Sequence, residues 1–135
     1  MKRLLSRLLS VFLVACIGLM GCSAAPTGSI GLSGDYRQDT LALVSTLRNA
    51  IALPDDAPEK STAQTQARQL INDFSARYRR EGSVARLSSY TTMRTALNSL
   101  AGHYSSYPNR PVPQKLKDRL EMEFKQVELA INRGS

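Results

Sequence analysis

One histidine and two cysteines in 135 residues leave little room for the usual chemistry of a small protein. A zinc or other transition-metal centre needs several imidazole or thiolate ligands, and His103 alone cannot assemble one. Ser99 stands one helical turn before His103, but no nucleophile elbow, orienting carboxylate or oxyanion loop accompanies the pair. Phosphate-cradling glycine loops and dinucleotide fingerprints are missing. Asp55, Asp56 and Glu59 lack the central glycine of a calcium loop, while Glu121 and Glu123 diverge on a helix. No catalytic residue, metal ligand or cofactor is therefore expected.

Long apolar runs are equally scarce. The one present, Leu8 to Met20, is too short to span a bilayer, which takes about 20 residues. Lys2, Arg3 and Arg7 precede it, small Gly21 follows, and Leu19-Met20-Gly21-Cys22 closes it. This pattern resembles a bacterial lipoprotein signal, which implies cleavage of residues 1–21 and a lipid on the Cys22 thiol. Cys16 is a rival attachment point, but it would leave an apolar core of only Leu8 to Leu13. An uncleaved anchor and an ordinary secretory signal are the competing readings; Ala24-Ala25 after the run is no stop-transfer cluster.

Cleavage would leave one acylated thiol and no disulfide, so the exported domain must hold together by its own core. Residues 22–135 suffice for one domain that buries about two thirds of its unfolded surface. With Lys2, Arg3 and Arg7 removed, the formal charge falls from +7 to +4. No concentrated Lys/Arg stripe marks a nucleic-acid binder; an acidic protein surface or anionic lipid fits a mildly basic domain better. Residues 22–34 are small, uncharged and aperiodic, as expected of a flexible tether with an end-to-end distance on the order of 20 Å.

From Asp35 the chain reads as four helices. Tyr36, Leu43, Val44, Leu47 and Ile51 mark the first, which ends at the prolines Pro54 and Pro58. Ala63, Ala67, Leu70, Ile71, Phe74 and Tyr78 mark the second, expected to stop at Glu81-Gly82 with glycine in a left-handed cap. Ser88 or Ser89 is expected to cap a third, with Val84 and Leu87 as its lead-in and Met93, Leu97, Leu100, Ala101 and Tyr104 as its stripe. The fourth starts near Pro113 and buries Leu116, Leu120, Phe124, Val127 and Ile131. Asp73 with Arg77, Arg77 with Glu81, Lys117 with Glu121 and Glu121 with Lys125 are spaced for pairs on solvated faces. With no two-residue alternation and short connections, residues 35–135 are expected to form an all-α, up-down four-helix bundle.

Ser99 to Pro111 gathers aromatic, proline and polar residues at one corner. Tyrosine and arginine supply contact area and directed hydrogen bonds, and prolines reduce the entropy lost on docking. Equally, Tyr104 and Tyr107 could plug the end of the bundle while Pro108 to Pro113 shape a turn.

Ala67-Arg68-Gln69-Leu70-Ile71-Asn72-Asp73-Phe74, Arg77-Tyr78-Arg79-Arg80, Thr91-Thr92-Met93, the run from Thr95 to Tyr104 and Asn109-Arg110-Pro111 are similar to the cyanobacterial photosystem II assembly lipoproteins. That resemblance implies a non-enzymatic assembly and repair factor, lipid-anchored on the lumenal side of the thylakoid membrane. It further implies transient binding to the large lumenal loop of an inner antenna subunit, before the manganese cluster and extrinsic subunits are in place. The expected docking residues are Arg94, Asn98, His103, Tyr104, Tyr107 and Arg110, with Arg77, Arg79 and Arg80 as a rival basic cluster. The protein alone is expected to be monomeric. A generic envelope lipoprotein, serving as a spacer or binder of anionic surfaces, is the alternative.

Overall fold

The computed structural model describes residues 31–135 apart from Asn109, so the expected signal, Cys16 and Cys22 lie outside the described residues. Five helices follow in order: α1 (Tyr36–Ala52), α2 (Lys60–Tyr78), α3 (Gly82–Ala85), α4 (Ser88–Ser106) and α5 (Gln114–Arg133). The four long ones are those the apolar periodicity predicts, and the single turn of α3 is added between α2 and α4. Among the described residues, no helix is long and apolar enough to cross a membrane.

Helix α1 packs on α2 and α5, α2 on α4, and α4 most extensively on α5, which closes a ring of four neighbours. Bonds across the ring fix its direction. Tyr78 at the end of α2 reaches Asp39 in the first turns of α1. Tyr36 at the start of α1 bonds Ser89 at the start of α4. Arg37 donates to the Ile131 carbonyl near the end of α5. The starts of α1 and α4 and the ends of α2 and α5 therefore share one end of an up-down bundle. The far end carries the Leu53–Glu59 and Tyr107–Pro113 turns.

The core is the apolar stripe of each helix: Leu43, Val44 and Leu47, then Leu70, Ile71 and Phe74, then Met93, Leu97 and Leu100, then Leu120, Phe124 and Val127. Each large side chain buried there contributes about 1.5–3 kcal/mol. At the chain-entry end Tyr36, Phe74 and Tyr78 form an aromatic cluster with ring centroids 4.9–6.3 Å apart. Edge and tilted contacts of this kind suit the ring quadrupoles.

Three local expectations are corrected. Helix α2 stops at Tyr78 with Arg79 as a right-handed cap, and Gly82 opens α3; the glycines with positive φ are Gly34 and Gly134. Leu87, not a serine, is the N-cap of α4, because Ser89 is buried and its hydroxyl is occupied by Tyr36 at 2.8 Å. Among the described residues, none of the four predicted i,i+4 ion pairs closes. Glu121 is taken instead by Arg48 of α1, which bonds both Glu121 and Glu128 at 2.9 Å and lies 5.9 Å over the Phe124 ring. An inter-helix fork offers a guanidinium two carboxylates at once, and bonds to Glu128 and Glu121 raise its pKa above the ordinary value.

Leu32 packs partly against the core, and Ser33 and Gly34 are fastened to Asp39. The last residues of the sequence-predicted tether thus lie on the domain. Asp39 is buried and accepts from the Ser33 N–H and hydroxyl, the Gly34 N–H and the Tyr78 hydroxyl. Burial pushes its pKa up, but the bonds from Tyr78, Ser33 and Gly34 outweigh it, and the net shift is downward.

Candidate docking site

The residues expected to dock fall into two groups. His103, Tyr104, Tyr107 and Arg110 meet at the far end of the bundle, where α4 gives way to the turn before α5. Arg94 and Asn98 are exposed and lie up α4, with Arg94 about 20 Å from Tyr107 along the helix axis. The two groups do not form one compact patch.

At the corner the chain is held in a closed turn. The Tyr107 N–H donates to the His103 carbonyl at 2.8 Å, and the Arg110 N–H to the Tyr107 carbonyl at 3.2 Å. His103 Nε2 lies 3.2 Å from the Arg110 carbonyl oxygen. Because a carbonyl can only accept, this ring nitrogen carries the hydrogen. Val112 is buried and pins the turn to the core.

Tyr107 is 50% exposed, with the His103 ring 5.5 Å away and the Arg110 guanidinium 5.6 Å over its own ring. A half-exposed aromatic held by a ring and a cation is a pre-oriented anchor. Tyr104 is buried, and burial raises the pKa of its hydroxyl. His103 is buried as well. These two side chains support the corner from beneath, and the surface itself is Tyr107 and Arg110.

A charge feature of the sequence completes the site. From Gly82 to Lys117 the chain has no carboxylate side chain, while Arg86, Arg94, Arg110, Lys115 and Lys117 are all cationic. Helix α4 is entirely within that stretch, so its exposed face carries positive charge with no internal compensation. No motif reports this feature, because it is the absence of a residue type over a long window. Among the described residues, no group of His, Cys, Asp and Glu could hold a metal ion.

The family model described as Photosystem II Pbs27 matches residues 7–131. The chain belongs to that family. It is 59% identical over 133 residues to the photosystem II assembly factor lipoprotein Psb27 of Thermosynechococcus vestitus, covering 98% of this chain and 97% of that one. It is 54% identical to the photosystem II lipoprotein Psb27 of Synechocystis over 99% of this chain and 97% of the relative. The solution structure of Psb27 from cyanobacterial photosystem II superposes with a TM-score of 0.74 at 55% identity, over 82% of this chain and all of that one. The helical bundle and the resemblance carried by Ala67–Phe74 and Thr95–Tyr104 are thus those of the Psb27 family.

Proposed function

We propose that this chain is a non-catalytic assembly and repair factor for photosystem II. Membership of the Psb27 family supports that reading, since its relatives are named as photosystem II assembly and repair proteins. In this reading Cys22 carries the lipid that holds the domain on the lumenal side of the thylakoid membrane. The partner is the large lumenal loop of an inner antenna subunit, engaged transiently before the manganese cluster and extrinsic subunits are in place.

The observation that carries the docking assignment is the acid-free, cationic side formed by α4 and the following turn. Arg94, Asn98, Tyr107 and Arg110 offer exposed donors and one aromatic anchor to an acidic loop, with His103 and Tyr104 holding the corner in shape. Confinement near the membrane raises the effective concentration of a weakly bound partner, so affinity can stay low and release easy.

Affinity purification of the tagged full-length protein from detergent-solubilised thylakoids tests this. Recovery of non-oxygen-evolving photosystem II lacking extrinsic subunits is expected, and an Arg94→Ala/Arg110→Ala double variant should recover far less of it. Unrelated envelope proteins, or lipid alone, would favour the generic lipoprotein.

A further inference from the structure

The end of the bundle where the chain enters has a composition of its own. Arg37, Arg77, Arg79, Arg80, Arg86 and Arg133 gather there from α1, α2, the α3–α4 junction and α5, and all six are exposed. Every cation at this end is arginine. Lys60, Lys115 and Lys117 lie toward the far end, and Lys125 lies midway along α5. The opposing carboxylates are few: Asp39 is buried and occupied by Ser33, Gly34 and Tyr78, Asp35 caps α1, and Glu81, with Asp73 one turn before Arg77, is what remains near the arginines.

Helix dipoles do not explain this excess. The C-termini of α2 and α5 each present the equivalent of about half a negative charge, which Arg77 and Arg133 suffice to offset. Arg37 donates to the Ile131 carbonyl and to Asn132 Oδ1 and so serves the end of α5 as well, but Arg79 and Arg80 are surplus to what the end of α2 needs, and Arg86 follows a single-turn helix. Guanidinium forks match the paired oxygens of phosphate and sulfonate groups.

Chain length says what covers this end. Cys22 lies nine residues before Gly31 in the sequence, and so short a stretch spans at most about 30 Å. The strap Gly31–Gly34 joins the domain beside the arginines, with the Arg77 guanidinium 2.9 Å from where a Gly34 Cβ would stand.

We propose that this arginine-rich end docks on anionic lipid headgroups, which sets the domain upright and turns the Tyr107–Arg110 corner away from the bilayer. The proposal rests on the reading of Cys22 as the lipid-bearing residue. The corner then stands about 28 Å farther from the headgroups, the length of the 19-residue helix α4. The two cationic regions have separate roles: one end orients on lipid, and the opposite corner meets the protein partner.

The test uses the full chain isolated from its host membranes and reconstituted in vesicles of phosphatidylcholine, with or without phosphatidylglycerol. Arginines are modified with hydroxyphenylglyoxal and located by mass spectrometry. Arg79, Arg80, Arg86 and Arg133 should be several-fold protected only when phosphatidylglycerol is present, and high salt should abolish the protection. Arg94 and Arg119 should react equally on both vesicles. Arg79→Gln/Arg80→Gln should weaken salt-sensitive binding by about fivefold for each arginine removed. The intact mass of the same sample reports the lipid on Cys22. Protection with an unmodified Cys22 keeps the lipid-docking surface and discards the anchor; a lipidated Cys22 with equally reactive arginines overturns the surface and keeps the anchor. Protection seen only when photosystem II is bound overturns it in favour of an acidic protein surface.

Discussion

Tyr78 donates its hydroxyl to the buried Asp39 carboxylate at 2.5 Å, joining the last turn of α2 to the first turns of α1. The same carboxylate receives three further bonds from the Ser33–Gly34 strap. One side chain thus fastens two helices and the entering chain.

Loss of this bond should be costly because it removes one of the four donors that hold the buried carboxylate and leaves its Oδ2 with the Gly34 N–H alone. Tyr78→Phe is expected to destabilise the domain by about 1–3 kcal/mol, a fall of about 4–8 °C in Tm for each kcal/mol. Asp39→Asn should cost at least as much, since an amide nitrogen cannot accept from Ser33 or Tyr78. Thermal melts followed by circular dichroism measure both. An unchanged Tm for Tyr78→Phe would mean that the strap alone holds Asp39.

The same pair sets a pH signature. Burial, then the Asp39 bond, pushes the Tyr78 hydroxyl from 10.0 up to about 12. Its contribution is full below about 10, where the unfolded phenol is still neutral, and is lost as pH rises through about 12. Asp39 behaves oppositely: its folded pKa is lowered from 3.8, so its contribution is present above that value and disappears in more acidic solution. Urea melts across pH should show stability falling in the alkaline window, and Tyr78→Phe should shrink that step to the part that the Tyr36 and Tyr104 hydroxyls, also raised by burial, contribute.

Arg48 is the second inter-helix fastening. Its side chain and those of Glu121 and Glu128 are 34–39% exposed, so solvent screening limits its worth to on the order of 1 kcal/mol. Arg48→Met keeps the packing on Phe124 but leaves two carboxylates without their shared cation. Its deficit in denaturant melts should shrink as salt is added. A salt-independent deficit would assign the effect to packing.

Two glycines should respond in opposite directions. Gly34 has φ +94°, so Gly34→Ala is expected to destabilise by about 1–2 kcal/mol through the backbone, while the flexible end of Arg77 can swing aside. Gly102 sits inside α4 with nothing near its missing Cβ, and Gly102→Ala should stabilise by about 0.5–1 kcal/mol. Paired melts of the two variants decide this.

Much of this architecture can be read in the chain because helices bury their stripes. Phe74, Leu97, Leu100, Phe124 and Val127 fall where a 3.6-residue period puts them, and the prolines mark both far-end turns. Interactions between helices were not legible. Ser89 reads as a local cap yet turns inward to Tyr36, and Glu121 has two lysines within a turn yet pairs with Arg48, 73 residues away. Spacing along one helix cannot rank these choices, since the winning partner lies on another element. Tyr104 and His103 are legible as members of the corner, but their burial is set by packing across the bundle.

The fastening of Ser33 and Gly34 to Asp39 also governs how the domain bears mechanical load. A pull on the chain ahead of Gly31 is first taken up by the bonds converging on that carboxylate, before α1 can begin to unwind. Through Tyr78 part of the load passes into α2, so two helices share it and α1 is not peeled away alone. Tension along the chain ahead of the domain would therefore meet the fold where four hydrogen bonds converge.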